Sequence, residues 1–330
     1  MFTDKTRKIG AFIVCALSFG FLPILDAQDL KPFRISLSLG SAQLPLWVAR
    51  DAGLFAKHGL NVELLGLQSA SRQVQLILAG DTLAASLSGT TPVRARIEGA
   101  DTIIMMGLLN SFTLSVITAP EIKKPSDLKG KFVGVGSLGG SPTLLTQRLL
   151  KKWGLESDVQ FLATGGYMES LAALDKRRIH AAVLDPPRAY IGRKKFGFTE
   201  LANLGQEFKY ATTVIVARES QLRKEHETFS QFAKGVIEGI HRVKTDREFA
   251  IKVLGKMLRS SDREILEETY RVFSALYEKA PYPALEGIQP ILDEISTQIP
   301  KAKNYKAENF VDMGIVKQLD QSGFIGNVYR

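Results

Sequence analysis

The feature that most constrains the fold is an alternation of strand-like and helix-like segments that runs, stops and starts again. In the first series, buried strand-like runs cover residues 33–39, 83–87 and 103–106, with a helical pattern at 72–79. The second series has strand-like runs at 132–135, 159–162 and 179–184, separated by helical patterns at 141–154 and 167–175. Strands that alternate with helices at this spacing predict parallel βαβ units. Two such series predict two α/β lobes.

Two more strand-like runs, residues 113–118 and 212–217, bracket the second series. We interpret them as paired crossover segments that form a two-segment hinge. The first lobe then comprises residues 33–112 plus 213–330, and the second comprises residues 113–212. From about residue 225 the apolar positions follow helical spacing, so the last third is predicted to be mostly helical. The predicted class is α/β, with two doubly wound lobes.

The N-terminus has the order of charges and apolar residues that is typical of an export signal. Lys5, Arg7 and Lys8 form a basic segment, residues 9–25 are apolar, and Ala27 is a small residue before a cut. We therefore expect residues 1–27 to be a signal peptide that is removed, and the mature protein to be periplasmic. No other run reaches the length of a membrane span.

The only cysteine, Cys15, lies inside this predicted signal. The mature chain is then expected to have no disulfide, no thiolate metal site and no cysteine nucleophile. The alternative is that Cys15 carries a lipid, but Val14 precedes it where lipid-attachment sites have a small residue.

Composition excludes several classes of function. The net charge is +9, but the basic residues form short separate clusters without interleaved aromatic residues, so we expect no nucleic-acid partner. None of the four histidines has metal-ligand spacing to another. A G-x-G-x-x-G pattern at residues 134–139 lacks the acid that a dinucleotide site needs after the next strand. We expect no catalytic residue, no metal and no cofactor.

Six loops between a predicted strand and the following helix carry small polar residues and glycines. In doubly wound sheets such loops lie at the carboxyl ends of the strands, where ligands bind. Any one serine or threonine there is more often a helix cap, but six loops together predict a small-ligand site. The candidate ligand-binding residues are Ser41, Gln43, Ser71, Arg72, Ser88, Gly89, Thr90, Thr91, Ser137, Gly139, Gly140, Ser141, Thr143, Gly166, Tyr167 and Asp185.

Two of these candidates are charged, and each is interpreted as the only charge in its loop. Arg72 suits a sulfonate, carboxylate or phosphate, unless it simply points to solvent from the first turn of its helix. Asp185 suits an amine and repels a bare anion. Together they predict an anionic or zwitterionic ligand contacted from both lobes.

Four segments resemble one known family in order and spacing, over residues 33–217. They are PLWVARDAGLFAKHGLNVEL at 45–64, QLILAGDTLAAS at 75–86, KPSDLKGKFVGV at 124–135 and HAAVLDPP at 180–187. They are similar to segments of periplasmic substrate-binding proteins of nitrate, sulfonate and taurine ABC importers, a family that includes relatives of thiamine-pyrimidine-precursor metabolism. The resemblance implies a type II periplasmic-binding-protein fold and a ligand cleft between the lobes. It also implies closure about the hinge, delivery to an ABC permease and no catalysis; we expect a monomer.

This chain departs from the family pattern at two places. Leu184 stands where the family often has a tryptophan, and residues 141–143 lack the histidine that is common there, which argues against assigning a sulfonate. Two alternatives remain open. One is an enzyme of the thiamine-pyrimidine-precursor synthase type on the same fold, although those relatives are intracellular and carry a cysteine-rich motif. The other is an exported sensor input module.

Overall fold

The computed structural model describes residues 30–138 and 141–330. The predicted signal peptide, with Cys15 and the cleavage after Ala27, and two candidate site residues, Gly139 and Gly140, lie outside the described residues. The strands are β1 (Lys31–Ser38), β2 (Leu60–Leu67), β3 (Ala84–Leu87), β4 (Ile103–Ser111), β5 (Ser115–Thr118), β6 (Phe132–Val135), β7 (Gln160–Ala163), β8 (Ala181–Leu184), β9 (Thr199–Asn203) and β10 (Lys209–Ala217).

The helices follow the predicted positions in both series and dominate the last third of the chain. They are α1 (Leu44–Asp51), α2 (Leu54–Lys57), α3 (Ala70–Ala79), α4 (Thr90–Ile97), α5 (Ser141–Lys152), α6 (Tyr167–Asp175), α7 (Pro186–Phe196), α8 (Leu204–Glu207), α9 (Glu219–Lys224), α10 (His226–Thr245), α11 (Arg247–Leu258), α12 (Arg263–Leu276), α13 (Gln289–Ser296), α14 (Gly314–Gln321) and α15 (Phe324–Val328). Within the described ranges, no helix is both long enough and apolar enough to cross a membrane.

The strands form two five-stranded sheets, in the orders β2-β1-β3-β10-β4 and β7-β6-β8-β5-β9. The fold class predicted from the sequence, α/β with two lobes, is confirmed. The expectation of parallel βαβ units holds for β2-β1-β3 and β7-β6-β8 only. Strand β10 runs antiparallel to both of its neighbours, and so does β5. Both sheets are therefore mixed. In each sheet, the first strand after the chain passes from one sheet to the other runs antiparallel to its neighbours.

The two crossings between the sheets lie side by side. The first runs from β4 through residues 112–114 to β5, and the second runs from β9 through α8 to β10. Ser111 at the end of β4 pairs with Lys209 at the start of β10. The Leu204 N–H donates to the Leu114 carbonyl at 2.9 Å. The predicted run at 113–118 is thus part crossing and part strand, while the exact lobe boundaries stay a prediction.

Helix α10 is the centre of the first lobe's core, because its apolar face packs on both β1 and α2. The Phe232 ring stacks on Phe33 with centroids 4.4 Å apart and on Phe55 at 5.3 Å. A Cβ atom at Gly239 would lie 2.5 Å from the Pro45 carbonyl oxygen, so α10 approaches α1 as closely as only glycine allows. The last third of the chain therefore packs on the first lobe.

Helices α12 and α13 of this last third also contact the second lobe. Arg193 of α7 donates to Glu268 of α12 at 2.8 Å, and Lys194 of α7 pairs with Glu264. On the other flank, an Arg148 Nη2 atom of α5 lies 3.2 Å from Asp293 of α13. The two lobes are therefore in contact on both flanks of the hinge in this structure.

Candidate functional site

The carboxyl ends of strands from both sheets meet at Tyr210, a buried residue of β10. Thr90 begins α4 directly after β3, and Ser141 begins α5 after β6. The Tyr210 hydroxyl oxygen of β10 lies 2.9 Å from Thr90 Oγ1 and 2.7 Å from Ser141 Oγ. Two predicted site residues from opposite sheets thus contact one hydroxyl group.

Glu294 of α13 completes this group, which we call the hinge cluster: Thr90, Ser141, Tyr210 and Glu294. Its Oε2 atom accepts from Ser141 Oγ at 3.1 Å and from the Tyr210 hydroxyl at 3.3 Å. Tyr210 is 1% exposed and packs on Phe112 with ring centroids 4.6 Å apart. Burial raises the pKa of Tyr210 to about 12, so the hydroxyl keeps its proton at neutral pH.

A cavity of about 260 Å³ opens beside the hinge cluster, between α5 and α13. Ser141, Tyr210 and Glu294 line it, together with Arg148 and Asp293. The lining therefore offers hydroxyl groups, carboxylates and a guanidinium group within one small space. Such a mixed lining is able to orient a small polar molecule by hydrogen bonds.

A second group lies at the carboxyl edge of the second sheet, and we call it the charged cluster: Tyr167, Asp185 and Arg188. Asp185 caps α7, because its Oδ1 atom accepts the Arg188 backbone N–H at 3.4 Å. Its Oδ2 atom also accepts from Arg188 Nη1 at 2.9 Å. Asp185 is thus the only charge in its loop, as expected, but it is paired with Arg188 in the first turn of α7.

Burial controls the titration of this cluster. Removal from water raises the pKa of Asp185 above its ordinary value of 3.8, and the Arg188 charge opposes the shift only in part. Burial also raises the pKa of the Tyr167 hydroxyl, and the Asp185 charge adds to the effect. The tyrosine is therefore a neutral hydrogen-bond donor.

Several predicted site residues make structural contacts instead. The Gln43 side chain is 2% exposed and bonds twice to Ser86, donating to its carbonyl at 3.3 Å and accepting from its hydroxyl at 2.6 Å. Thr143 Oγ1 donates to the Ser137 carbonyl at 2.6 Å and closes the loop before α5. The Gly89 N–H donates to the Ala211 carbonyl of β10 at 3.0 Å.

The other predicted residues are more open or serve neighbouring groups. Ser71, Arg72, Ser88 and Ser137 are exposed, Thr91 is half-buried, and Gly166 directly precedes α6. The Arg72 guanidinium contacts Gln75 at 3.4 Å. Ser41 is buried, and its carbonyl accepts from the Tyr277 hydroxyl at 3.1 Å. The structure thus joins Thr90 and Ser141 through Tyr210 and bonds Thr143 to Ser137, whereas no other two candidates share a side-chain hydrogen bond among the described residues.

Three residues of these clusters were missed by the sequence analysis. Arg188 stands three positions after a helix-capping aspartate, a spacing that often forms an ion pair, so it was detectable from the sequence. Tyr210 lies just before the strand-like run at 212–217, so its place on the hinge was available from the sequence. Glu294 has no local signal, because only the packing of α13 brings it to the site. Across the described ranges, no group of three or more metal-ligating side chains occurs.

Comparisons with known proteins agree with this architecture. Residues 41–248 match the family model described as NMT1/THI5 like, and the chain therefore belongs to the NMT1/THI5-like family. The resemblance drawn from the sequence is confirmed.

Relatives and solved structures extend the likeness over most of the chain. A Brucella abortus protein named as a candidate binding protein is 26% identical over 257 residues, which are 76% of this chain and 79% of that protein. The periplasmic aliphatic sulphonate binding protein SsuA from Escherichia coli is 16% identical, with a TM-score of 0.69 over 86% of this chain and 92% of its own. The periplasmic nitrate-binding protein NrtA from Synechocystis is 11% identical, with a TM-score of 0.62 over 89% of each chain. The fold is that of the periplasmic binding proteins.

Proposed function

We propose that this protein is an exported solute-binding protein of an ABC importer, which captures a small organic molecule that is anionic or zwitterionic. The observation that carries the proposal is the contact of Thr90 and Ser141, from opposite sheets, with Tyr210 on the hinge strand. Ligand bound at this place is contacted by both lobes, so its binding energy favours the closed arrangement. Two structural neighbours, a periplasmic sulphonate-binding protein and a periplasmic nitrate-binding protein, support the same function.

The proposed binding surface comprises the loops after β1, β2 and β3 and those after β6, β7 and β8. Within it, Arg72 and Asp185 are proposed to contact the ligand from opposite lobes, and the hydroxyl and N–H groups of residues 88–91 and 139–143 supply further hydrogen bonds. The chemistry is recognition without bond cleavage. The closed lobes then present the surface that the permease binds, and one chain is sufficient for this role.

A thermal-shift screen with small organic acids, amino acids and amines tests the proposal. Binding stabilises the folded state by RT ln(1 + [L]/Kd), about 2.7 kcal/mol at a hundredfold excess over Kd. Small-angle X-ray scattering on each hit then measures closure, and we expect the radius of gyration to fall. Release of a bound molecule from protein purified from the periplasm, identified by mass spectrometry, gives independent support. Hits that leave the lobe arrangement unchanged, or a ligand that is chemically converted, would contradict the proposal.

A further inference from the structure

The Arg188 guanidinium group has one edge in use and one edge without a partner. Its Nη1 atom donates to Asp185 at 2.9 Å. Its Nε atom is inaccessible to water and forms no hydrogen bond with any described residue. Nη2 likewise forms none within residues 30–138 and 141–330. In arginine, the Nε–H and one Nη2 N–H point in the same direction and form a fork that matches two oxygen atoms. This fork is the unused edge.

An unpartnered buried N–H group is unusual, because nearly all buried donors in proteins have an acceptor. Some of the other buried side-chain atoms without a hydrogen bond have a neighbour of opposite character. His58 Nε2 and Glu238 Oε2, for example, lie 3.2 Å from each other. For Arg188, the closest carboxylate contact in the part of the chain that the structure describes is made by Nη1, and Nε has no hydrogen-bond partner there. The open donor therefore indicates a place for an acceptor supplied by a ligand.

The position of Arg188 in the fold agrees with a ligand site. The charged cluster spans the end of β6, because Tyr167 follows β7, Asp185 follows β8, and β6 lies between these two strands. At that strand end a Cβ atom on Gly136 would meet nothing within 4 Å, so there is space in front of the strand. Helices α5 and α6 also begin at this edge, and the N-terminal N–H groups of a helix favour a negative charge.

We propose that Arg188 binds the acidic group of the ligand, a carboxylate, sulfonate or phosphonate, through its Nε and Nη2 atoms, with the Tyr167 hydroxyl as a second donor. This inference rests on the proposed function and assigns the charge-recognising residue to the second lobe. Besides any contact of its own with the ligand, Asp185 then also positions the arginine, since its carboxylate holds Nη1 and leaves the Nε–Nη2 edge free. A bidentate contact explains the use of arginine, because a lysine ammonium offers no planar pair of donors.

The experiment uses five probes that share a pentyl chain and differ only in the head group: hexanoate, pentanesulfonate, pentylphosphonate, pentylamine and hexanamide. Calorimetry measures Kd for the wild type, Arg188→Gln, Arg188→Lys and a control, Arg178→Gln. Arg178 is an exposed arginine of the same lobe that forms no side-chain hydrogen bond or ion pair with a described residue. Circular dichroism and thermal melting confirm that each variant is folded.

We expect at least one anionic probe to bind the wild type more tightly than the amine and the amide do. Its Kd should rise about tenfold or more in Arg188→Gln, which is roughly 1.4 kcal/mol or more, and by an intermediate factor in Arg188→Lys. Arg178→Gln should leave Kd unchanged. The ratio of carboxylate, sulfonate and phosphonate affinities then identifies the head group.

Two kinds of result would overturn the assignment. If the anionic probes bind Arg188→Gln as tightly as the wild type, or if only the amine or amide binds, the inference is wrong and the solute-binding function stands. If none of the five probes binds the wild type, the inference is wrong as well. The proposed function fails only if the wider screen and the mass spectrometry of the periplasmic protein also yield no ligand.

Discussion

The hydroxyl groups of Ser141 and Tyr210 lie 2.7 Å apart, and this contact joins the first turn of a second-lobe helix to the strand on which the chain returns to the first lobe. Because Thr90 contacts the same Tyr210 hydroxyl, both sheets are connected through one side chain. A rotation of the lobes that separates Thr90 from Ser141 breaks at least one of these contacts.

Tyr210→Phe is therefore expected to lower the free energy of unfolding by about 1–2 kcal/mol, since it removes hydrogen bonds to a buried hydroxyl while keeping the ring against Phe112. It should also shift the lobes toward an open arrangement. Urea denaturation and small-angle scattering measure the two effects. Tyr305→Phe is the control, because the Tyr305 hydroxyl makes no hydrogen bond to a described residue. Equal stability of the two variants would exclude a linking role for Tyr210.

The Arg193–Glu268 contact is expected to favour closure. Glu268 is mostly buried, with 11% of its side chain exposed, and it belongs to α12, whereas Arg193 belongs to α7 of the other lobe. Arg193→Gln should weaken the interface by about 0.2–1 kcal/mol, and salt should weaken it in the wild type. Fluorophores on Lys176→Cys and Lys252→Cys report the separation of the lobes.

Arg177→Gln provides the matched control for this measurement, because Arg177 pairs with Glu121 inside the second lobe at 2.9 Å. It should leave the separation of the fluorophores unchanged. An identical response of both variants would show that the interlobe ion pair has no effect on closure.

Asp185 is expected to make stability depend on pH. Its carboxyl has a raised pKa in the folded protein, because burial disfavours the charged form. The folded state therefore binds the proton more tightly than the unfolded state, and this stabilisation is lost as pH rises from about 4 through the raised pKa. Asp185→Asn keeps a capping oxygen and carries no charge, so its stability relative to the wild type should increase over that range. Denaturation curves at a series of pH values measure the difference; a constant difference would contradict the expectation.

Gly89→Ala should destabilise the protein by about 1–3 kcal/mol. Its Cβ atom would lie 2.8 Å from the Ala211 carbonyl oxygen and 3.2 Å from Ile291 Cδ1, so the contact of α4 with β10 would have to open. Gly136→Ala is the control, because a Cβ atom there meets nothing within 4 Å. Thermal melting compares the two variants. Equal melting temperatures would mean that β10 moves away from α4 without cost.

The mature protein is expected to begin near Gln28, after removal of residues 1–27. Basic, apolar and small residues follow one another in the order that signal peptidase substrates require. Intact-mass measurement on protein isolated from the periplasm gives the first residue. A mass that includes Met1, or a lipid on Cys15, would contradict the prediction.

Local pattern was sufficient to predict most of the elements. The helix at 167–175 coincides with α6, and the strand-like runs of both series coincide with strands to within a few residues. The direction of β5 and β10 was not predictable from their strand-like runs, because a short apolar run has the same pattern in parallel and antiparallel sheets. Each of these two strands is the first after the chain passes from one sheet to the other, and each enters its new sheet antiparallel to its neighbours.

The sequence was sufficient to predict which loops carry the candidate site, but it was not sufficient to predict which of their side chains contact each other. Ser141 and Asp185 stand where strand-to-helix junctions were expected, since junction residues follow from element order. Gln43 and Thr143 occupy the same kind of junction but bond to Ser86 and Ser137. Which hydroxyl or amide remains open for a ligand depends on packing across the sheet, which one sequence does not encode locally.

The place of β10 between β3 and β4 has a consequence for how the chain acquires its fold during synthesis. The first lobe's sheet lacks an inner strand until residues 209–217 are available. A nascent chain that ends before β10 therefore has unpaired backbone edges on β3 and β4, which are sites for association with other chains. The strands of the second sheet all lie before β10, within residues 115–203, so the second lobe's sheet is synthesised in full while the first lobe still waits for its inner strand and stays open to chaperones.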